Sequence, residues 1–496
     1  MEKLSYSTLE KQQYSGFLLK NAPERILQFG EGNFLRAFAD VFIDVLNEKC
    51  SFNGKVVLVQ PVGTTTASAD RINAQDGLYT LLVRGQKNGE KVDRSRVISS
   101  VSRCLNPLRD YDALLQCAAN PDLRFIISNT TESGIVFDAA CAAADKPPAS
   151  FPAKLTRFLY ERWEKKLPGF IILSCELIDH NGRELKKCVD RYIEYWHLQK
   201  EFQNWVNSEN LFCSSLVDRI VPGYPKADAE EICARLGYTD SCLDAGEVFA
   251  CWVIEGPRAI LQELPFDKAG LPVTLVDNVD PYKKRKVRIL NGAHTSMVPG
   301  AYLSGRNIVR ECMQDPVIHG YMNRALYNEI LPVLTDLPHD EVMQFASDVT
   351  DRFNNPFIDH LLLSIALNCT SKWKSRIMPT VLEYYAMYGK LPPVLTFSFA
   401  AYLSFYHCGK TRTENSLVAR RGADTFEIKD SPDVLDFFYA HRESPIESLA
   451  SAAIENESFW GAALRELPGF EKAVLEDLEE IRRLGIYEAM REIQNR

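Results

Sequence analysis

Residues Asp280–Gly300 read DPYKKRKVRILNGAHTSMVPG. This stretch carries a lysine, an asparagine and a histidine at positions 286, 291 and 294. Asp280 followed by Pro281 is a helix start: an N-cap side chain, then a residue with preset φ and no N–H left without a partner. Pro299-Gly300 reads as the stop. Val287, Leu290, Ala293, Met297 and Val298 form a partial apolar stripe between the two. At about 100° per residue, Asn291 lies about 140° and His294 about 80° round from Lys286, so all three can face one cleft. A lysine lowered in pKa by burial or neighbouring cations serves as a general acid or base. Lys283, Lys284, Arg285 and Arg288 are near enough in sequence to contribute. The competing reading is a solvated basic helix start, and the rest of the chain has to decide.

Working back from Asp280, short apolar runs alternate with amphipathic segments over about 280 residues, the pattern of an α/β domain. RILQF (Arg25 to Phe29) is a buried strand. It leads into GEGNFLRAFADVFIDVLNEK, a glycine turn opening a helix that carries Phe34, Ala37, Phe38, Val41, Phe42 and Val45 at helical spacing. KVVLVQP (Lys55 to Pro61) is the next strand. This strand–turn–helix–strand unit opens a dinucleotide-binding fold. Gly30 and Gly32 allow a tight turn and close approach of a pyrophosphate to a helix N-terminus. The third glycine of the fingerprint is replaced by Leu35. The second strand ends in Gln60 rather than the acid that holds a ribose. An ordinary strand-to-helix turn therefore stays open as an alternative.

Further strands are expected in residues 76–104, joined by a turn at Gln86–Gly89. LRFIISNTTESG (Leu123 to Gly134) and GFIILSCELIDHNG (Gly169 to Gly182) are strands ending in polar groups. Ser128, Asn129, Thr130 and Thr131 put hydroxyls and an amide at the edge where open α/β sheets bind ligands, with Ser128 and Thr130 as candidate cofactor contacts and a simple N-cap and turn as the alternative. LFCSSLVDRIVPGYP (Leu211 to Pro225) places Asp218 beside Arg219, as a site acid or as half of a structural ion pair. Beyond residue 280 the pattern is helical: Pro281–Val298, Val317–Leu334, Asp340–Phe353, Pro356–Leu367, Met378–Tyr388, Leu395–Tyr406, Pro432–His441, Pro445–Asn456 and Gly469–Glu492. Thr411–Lys429 is a loop or small hairpin. The expected organisation is residues 1–280 as a Rossmann-like domain and 281–496 as a mostly helical one.

The bulk numbers fit this. With 496 residues, 46% hydrophobic and 25% charged, the chain is a multi-domain globular protein. A net charge of −9 argues against nucleic acid or anionic membrane as a partner. No apolar run is long enough to span a bilayer. The N-terminus has neither signal nor transit character. Thirteen scattered cysteines without a Cys-x-x-Cys pair suggest reduced thiols in a cytoplasm. Nothing in the eight histidines asks for a metal.

Taken together, GEGNFLRAF, SNTTESG, SCELIDHNG, SLVDRIVPGYP and KVRILNGAH resemble the mannitol dehydrogenase family of long-chain, polyol-specific dehydrogenases, over nearly the whole chain. The last segment fits the family's Lys-x4-Asn-x2-His pattern. The resemblance implies metal-independent, NAD-linked interconversion of a sugar-acid alcohol and its ketone in hexuronate catabolism. It implies Lys286, Asn291 and His294 as catalytic residues. It implies Ile26, Leu27, Gln28, Phe29, Gly30, Glu31, Gly32, Asn33, Phe34, Leu35, Arg36 and Ala37 as the cofactor segment. One departure stands out. Mannitol-specific members carry an asparagine after the acid of their Ser-Cys-Asp-Asn motif, whereas here Leu177 follows Glu176, which argues against the usual mannitol chemistry. A substrate carboxylate needs cations, and Arg352, Lys372 and Arg376 are candidates, each with surface charge as its alternative. The rival readings are a reductase of another keto-uronate, a dehydrogenase of a neutral polyol, and a non-catalytic NAD-binding sensor.

Overall fold

The structure, a computed structural model, describes residues 1–61, 65–131 and 133–496. Glu132 of the SNTTESG run lies outside them. The chain divides into two compact units, one of Met1–Arg84 and Val92–Val279, the other of Gly85–Lys91 and Asp280–Arg496.

The first unit is organised by a parallel six-stranded sheet among the described residues. Across the sheet its strands run Val101–Leu105, Lys55–Val59, Glu24–Phe29, Phe125–Ser128, Ile171–Ser174, Leu211–Cys213. By order along the chain this is 3-2-1-4-5-6, the doubly wound arrangement of a dinucleotide-binding fold. The strands read as continuous apolar runs because both faces are covered. Ile26, Val56, Leu58 and Ile127 face one core with Phe42, Leu46 and Trp252. Leu27, Val57, Val59 and Ile126 face the other, against Leu155, Phe158 and Leu185 of the helices Phe151–Glu164 and Asn181–Tyr195. The expected long first helix is instead two, Asn33–Arg36 and Ala39–Cys50. They break at Phe38 (φ −128°, ψ −85°), which is fully buried among Phe34, Phe42 and Trp252. That packing overrides the helical spacing. Lys200–Glu209 and Ala229–Leu236 are further helices, beyond those expected; the first buries only Phe202 and Val206.

In the second unit the key helix starts at Asp280 as expected and does not stop at Pro299-Gly300. It runs as Asp280–Lys286, a π-helical turn Val287–Asn291, and Gly292–Leu303. Every residue from Gly292 to Tyr302 is buried, so the expected stripe is in fact a helix covered on all sides. That packing holds the proline within the helix, where its missing N–H and ring would otherwise end it. Pro393–His407, buried from Val394 to Tyr406, packs beside it.

The expected helix Pro356–Leu367 shrinks to Leu362–Ala366. Asn355 Oδ1 takes the Phe357 N–H (3.0 Å), and Val309 N–H donates to the His360 carbonyl (3.0 Å), which draws the intervening chain out of helical form. The expected loop or hairpin Thr411–Lys429 forms most of a three-stranded antiparallel sheet that begins two residues earlier: Gly409–Arg412, Leu417–Arg421 and Asp424–Ile428. The terminal helix is broken at Gly485 (φ +80°) into Phe470–Leu484 and Ile486–Ile493.

Candidate functional site

In the first unit the glycine turn lies at the carboxyl end of the first strand, beside the point where strand order reverses. Gly30 has φ +135°, a conformation side-chain-bearing residues rarely adopt. A Cβ there would come within 2.9 Å of Leu35 Cδ1 and 3.0 Å of the Asn129 carbonyl. Leu35 thus fills the place of the third fingerprint glycine by packing over the first. A Cβ on Gly32 would meet nothing within 4 Å. Open space over that residue fits the close approach of a pyrophosphate to backbone N–H groups.

The geometry divides the segment Ile26–Ala37. Ile26, Leu27, Gln28, Phe29, Leu35, Arg36 and Ala37 are buried, whereas Glu31, Gly32, Asn33 and Phe34 reach the surface. Arg36 braces the turn from behind. It donates to the Glu31 carbonyl (3.1 Å), Asn33 Oδ1 (2.6 Å) and the Cys242 carbonyl (2.6 Å), with Asp244 at 3.6 Å. Gln60 is tied into the protein, donating to the Thr65 carbonyl (3.1 Å) and accepting from Asn106 Nδ2 (2.9 Å).

Ser128 and Thr130 are buried, and both hydroxyls donate to the Glu176 carboxylate at 3.1 Å. Their neighbours Asn129 and Thr131, from the same polar run, form the surface instead. Phe34, Asn129, Thr131, Ser133 and Leu177 line a cleft of about 510 Å³ at the carboxyl edge of the sheet. Asp218 is buried at the end of the strand Ser215–Asp218. Arg219 donates to the carbonyls of Ala37 and Glu247 (2.7 Å for the latter).

In the second unit the π-helical turn changes the geometry of the key helix. A π turn holds roughly one residue more than an α turn, so Asn291 comes to about 50° rather than 140° from Lys286. The amide and the ammonium therefore share a face more closely than an unbroken α-helix allows. Lys286 and Asn291 are half-buried, and His294 is 8% exposed.

The basic neighbours of Lys286 are engaged. Lys284 pairs with Asp336 (2.8 Å), and Arg285 pairs with Glu341 (3.7 Å) and lies over the Phe345 ring. Arg288 donates to Thr380 Oγ1 (2.6 Å) and Glu383 (3.0 Å). The solvated-helix reading does not hold for these three.

His294 stacks on Phe353 and meets His360 edge-on at 5.4 Å. Burial holds its pKa well below the ordinary imidazole value, and the nearby His360, Arg352, Arg376 and Lys372 push the same way. The ring is neutral. Its Nε2 is buried and makes no hydrogen bond among the described residues. A buried polar atom without a hydrogen bond is uncommon and marks this ring out.

The three candidate carboxylate binders thus gather round His294. Arg352 is buried at the end of the helix His339–Phe353. Lys372 and Arg376 stand one turn apart on Cys369–Arg376, where Lys372 donates to the Ile365 carbonyl (2.9 Å) and Arg376 to Thr295 Oγ1 (3.3 Å). The pKa values of both are lowered, by burial and, for Lys372, also by Arg376. No local pattern points to His360 or Phe353, which are brought to His294 from some 60 residues away.

Among the described residues no group of three His, Cys, Asp or Glu side chains is placed to hold a metal ion, and no helix is long and apolar enough to cross a membrane.

A doubly wound dinucleotide-type sheet followed by a mostly helical unit defines a two-part protein with a Rossmann-like first unit. Residues 24–268 match the mannitol dehydrogenase Rossmann domain, and residues 278–482 match the mannitol dehydrogenase C-terminal domain. The chain belongs to the mannitol dehydrogenase family. It is 43% identical to an altronate oxidoreductase of Yersinia enterocolitica over 485 residues, covering 96% of this chain and 97% of the relative. It is 44% identical to an altronate oxidoreductase of Bacillus subtilis over 475 residues, covering 94% and 95%. Two solved structures share its fold. A substrate-free D-sorbitol dehydrogenase has TM-score 0.79 at 21% identity, covering 98% of this chain and 100% of that one. Pseudomonas fluorescens mannitol 2-dehydrogenase, in a ternary complex with NAD and D-mannitol, has TM-score 0.69 at 22% identity, covering 100% of both chains.

Proposed function

We propose that this protein interconverts D-altronate and D-tagaturonate with NAD as its cofactor, in hexuronate (galacturonate) catabolism. The relatives named altronate oxidoreductase, similar over nearly their full length, support the substrate. The observation that carries the site is buried, neutral His294, whose Nε2 has no partner among the described residues, with Arg352, Lys372 and Arg376 near enough to lower its pKa. That arrangement suits a hydroxy or keto group next to a hydrogen-bonding imidazole, on a substrate whose carboxylate needs cations. A neutral polyol has no use for three of them.

When bound, the reduced cofactor supplies a hydride to the ketone carbon. Negative charge then builds on the ketone oxygen. Lys286, protonated in this direction, gives that oxygen its proton, and takes it back in the reverse reaction. Asn291 and His294 donate hydrogen bonds that place the oxygen and stabilise its developing charge. Because His294 is neutral, it donates through one nitrogen only. Glu31, Gly32, Asn33 and Phe34, which reach the surface at the glycine turn, would hold the dinucleotide there.

The test is a panel of tagaturonate, fructuronate and fructose, each with NADH and with NADPH. Turnover of tagaturonate with NADH supports the reading. Preference for fructuronate moves the protein to another keto-uronate, and preference for fructose removes the role given to the cations. Binding of NADH without turnover of any of the three would make the chain a sensor.

A further inference from the structure

Glu176 and Leu177 are adjacent and have opposite surroundings. Glu176 is 2% exposed and Leu177 is 61% exposed. The Glu176 carboxylate accepts from Ser128 Oγ, Thr130 N–H and Thr130 Oγ1, each at 3.1 Å. Its carbonyl accepts from Asn181 Nδ2 and Ile178 N–H, each at 2.9 Å. Asn181 is itself fixed, accepting from Ser215 N–H (2.8 Å). The backbone on either side of Leu177 is therefore pinned, and the leucine is held out into the cleft it shares with Phe34, Asn129, Thr131 and Ser133. An exposed leucine alone is ordinary. Here it is displayed by a buried carboxylate, at the edge of the sheet where doubly wound folds bind ligands. Burial of that carboxylate raises its pKa, a mark of the cost of placing it there.

The strand order assigns the half of the cofactor involved. The first βαβ half, with the second strand and its ribose position, takes the adenosine. The half built on Phe125–Ser128 and Ile171–Ser174 takes the other nucleoside, so Leu177 lies on the nicotinamide side. Oxidised nicotinamide is a cation and the reduced ring is neutral. Placing a cation against an apolar side chain removes water from it and returns nothing, whereas the neutral ring gains by apolar contact.

We propose that Leu177, held in place by Glu176, is an apolar wall for the nicotinamide ring that favours NADH over NAD, and so poises the protein for ketone reduction. The inference rests on the nicotinamide-dependent reading under Proposed function. Leu177 is a specificity residue for the redox state of the cofactor, and Glu176 is its positioning residue.

The experiment measures dissociation constants of NADH and NAD by fluorescence and by calorimetry, without substrate. It uses the wild type, Leu177→Asn, Leu177→Met and Glu176→Ala. The wild type should bind NADH about tenfold or more tighter than NAD, and Leu177→Asn should lose most of that ratio through weaker NADH binding. Leu177→Met, apolar and of similar volume, should keep the ratio. Glu176→Ala should lower the ratio as Leu177→Asn does, because the wall is no longer held. An unchanged ratio in Leu177→Asn, with thermal stability and circular dichroism like wild type, overturns the inference and leaves the proposed function standing. Failure of the wild type to bind NADH overturns both.

Discussion

The imidazole of His294 lies flat on the ring of Phe353, with centroids 3.8 Å apart and planes 13° apart. Phe353 is buried, so it both orients the imidazole and keeps water from it. Phe353→Leu keeps an apolar side chain but loses the stacking surface. It should lower kcat by about ten- to a hundredfold, as misplacing one catalytic group does. The dissociation constant for NADH should not change. Steady-state kinetics with a parallel NADH titration checks both.

The same burial makes stability pH-dependent. The folded-state pKa of His294 is depressed well below its unfolded value, which is about 6.5. Above that value neither state binds the proton. Below it the unfolded state binds one and the folded state does not, so stability is lost as pH falls, by at most about 1.4 kcal/mol per unit for one group. Buried Glu329, raised to about 7, acts in the opposite sense, so the wild-type profile alone does not isolate His294. The difference between wild type and His294→Gln does. Urea unfolding should show the variant gaining on the wild type as pH falls below about 6.5. Parallel profiles would mean that His294 titrates normally.

The cations round His294 should act on binding and not on the chemical step. Arg376→Met and Lys372→Met should each raise KM for tagaturonate by about tenfold or more, the scale of a lost charge-assisted hydrogen bond. Arg352→Met should do the same. The dissociation constant for NADH should be untouched in all three. Equal effects on a neutral ketose would show that these residues hold the fold and not a carboxylate.

The two turn glycines should fail differently. Gly30→Ala puts a Cβ within 2.9 Å of Leu35 Cδ1 at a φ that side-chain-bearing residues rarely adopt, so stability should fall by about 1–3 kcal/mol or more. Gly32→Ala meets nothing within 4 Å and should melt like the wild type. Its methyl group stands where a pyrophosphate would approach, so NADH affinity should fall by about tenfold. Calorimetric melting and NADH titration separate the two outcomes.

What could be read in the sequence was what is local. Gly30 and Gly32 after RILQF identify the turn because backbone geometry demands glycine there, and the apolar strands show because a doubly covered sheet needs them. Lys286, Asn291 and His294 lie on one continuous helical stretch, so their relative placement is also local. The π-helical turn that moves Asn291 toward Lys286 has no marker in VRILN, since it depends on what packs against the helix. Pro299 misled for the same reason: neighbours on every side hold the helix through it. The polar run from Ser128 is legible at the end of an apolar strand, but only the fold turns the Ser128 and Thr130 hydroxyls on Glu176 and leaves Asn129, Thr131 and Ser133 facing the cleft. Phe353 and His360 could not be linked to His294 by any local pattern. Arg352, Lys372 and Arg376 were suggested by charge type, and their meeting round one imidazole is a tertiary fact.

The central claim is that Lys286 moves the proton. The most direct measurement is kcat for tagaturonate reduction by Lys286→Ala at saturating NADH, alongside NADH binding to the same variant. The account predicts a fall of about a thousandfold or more in kcat, within the range general acid catalysis supplies, with the NADH dissociation constant nearly unchanged. A variant that keeps most of its kcat would contradict it.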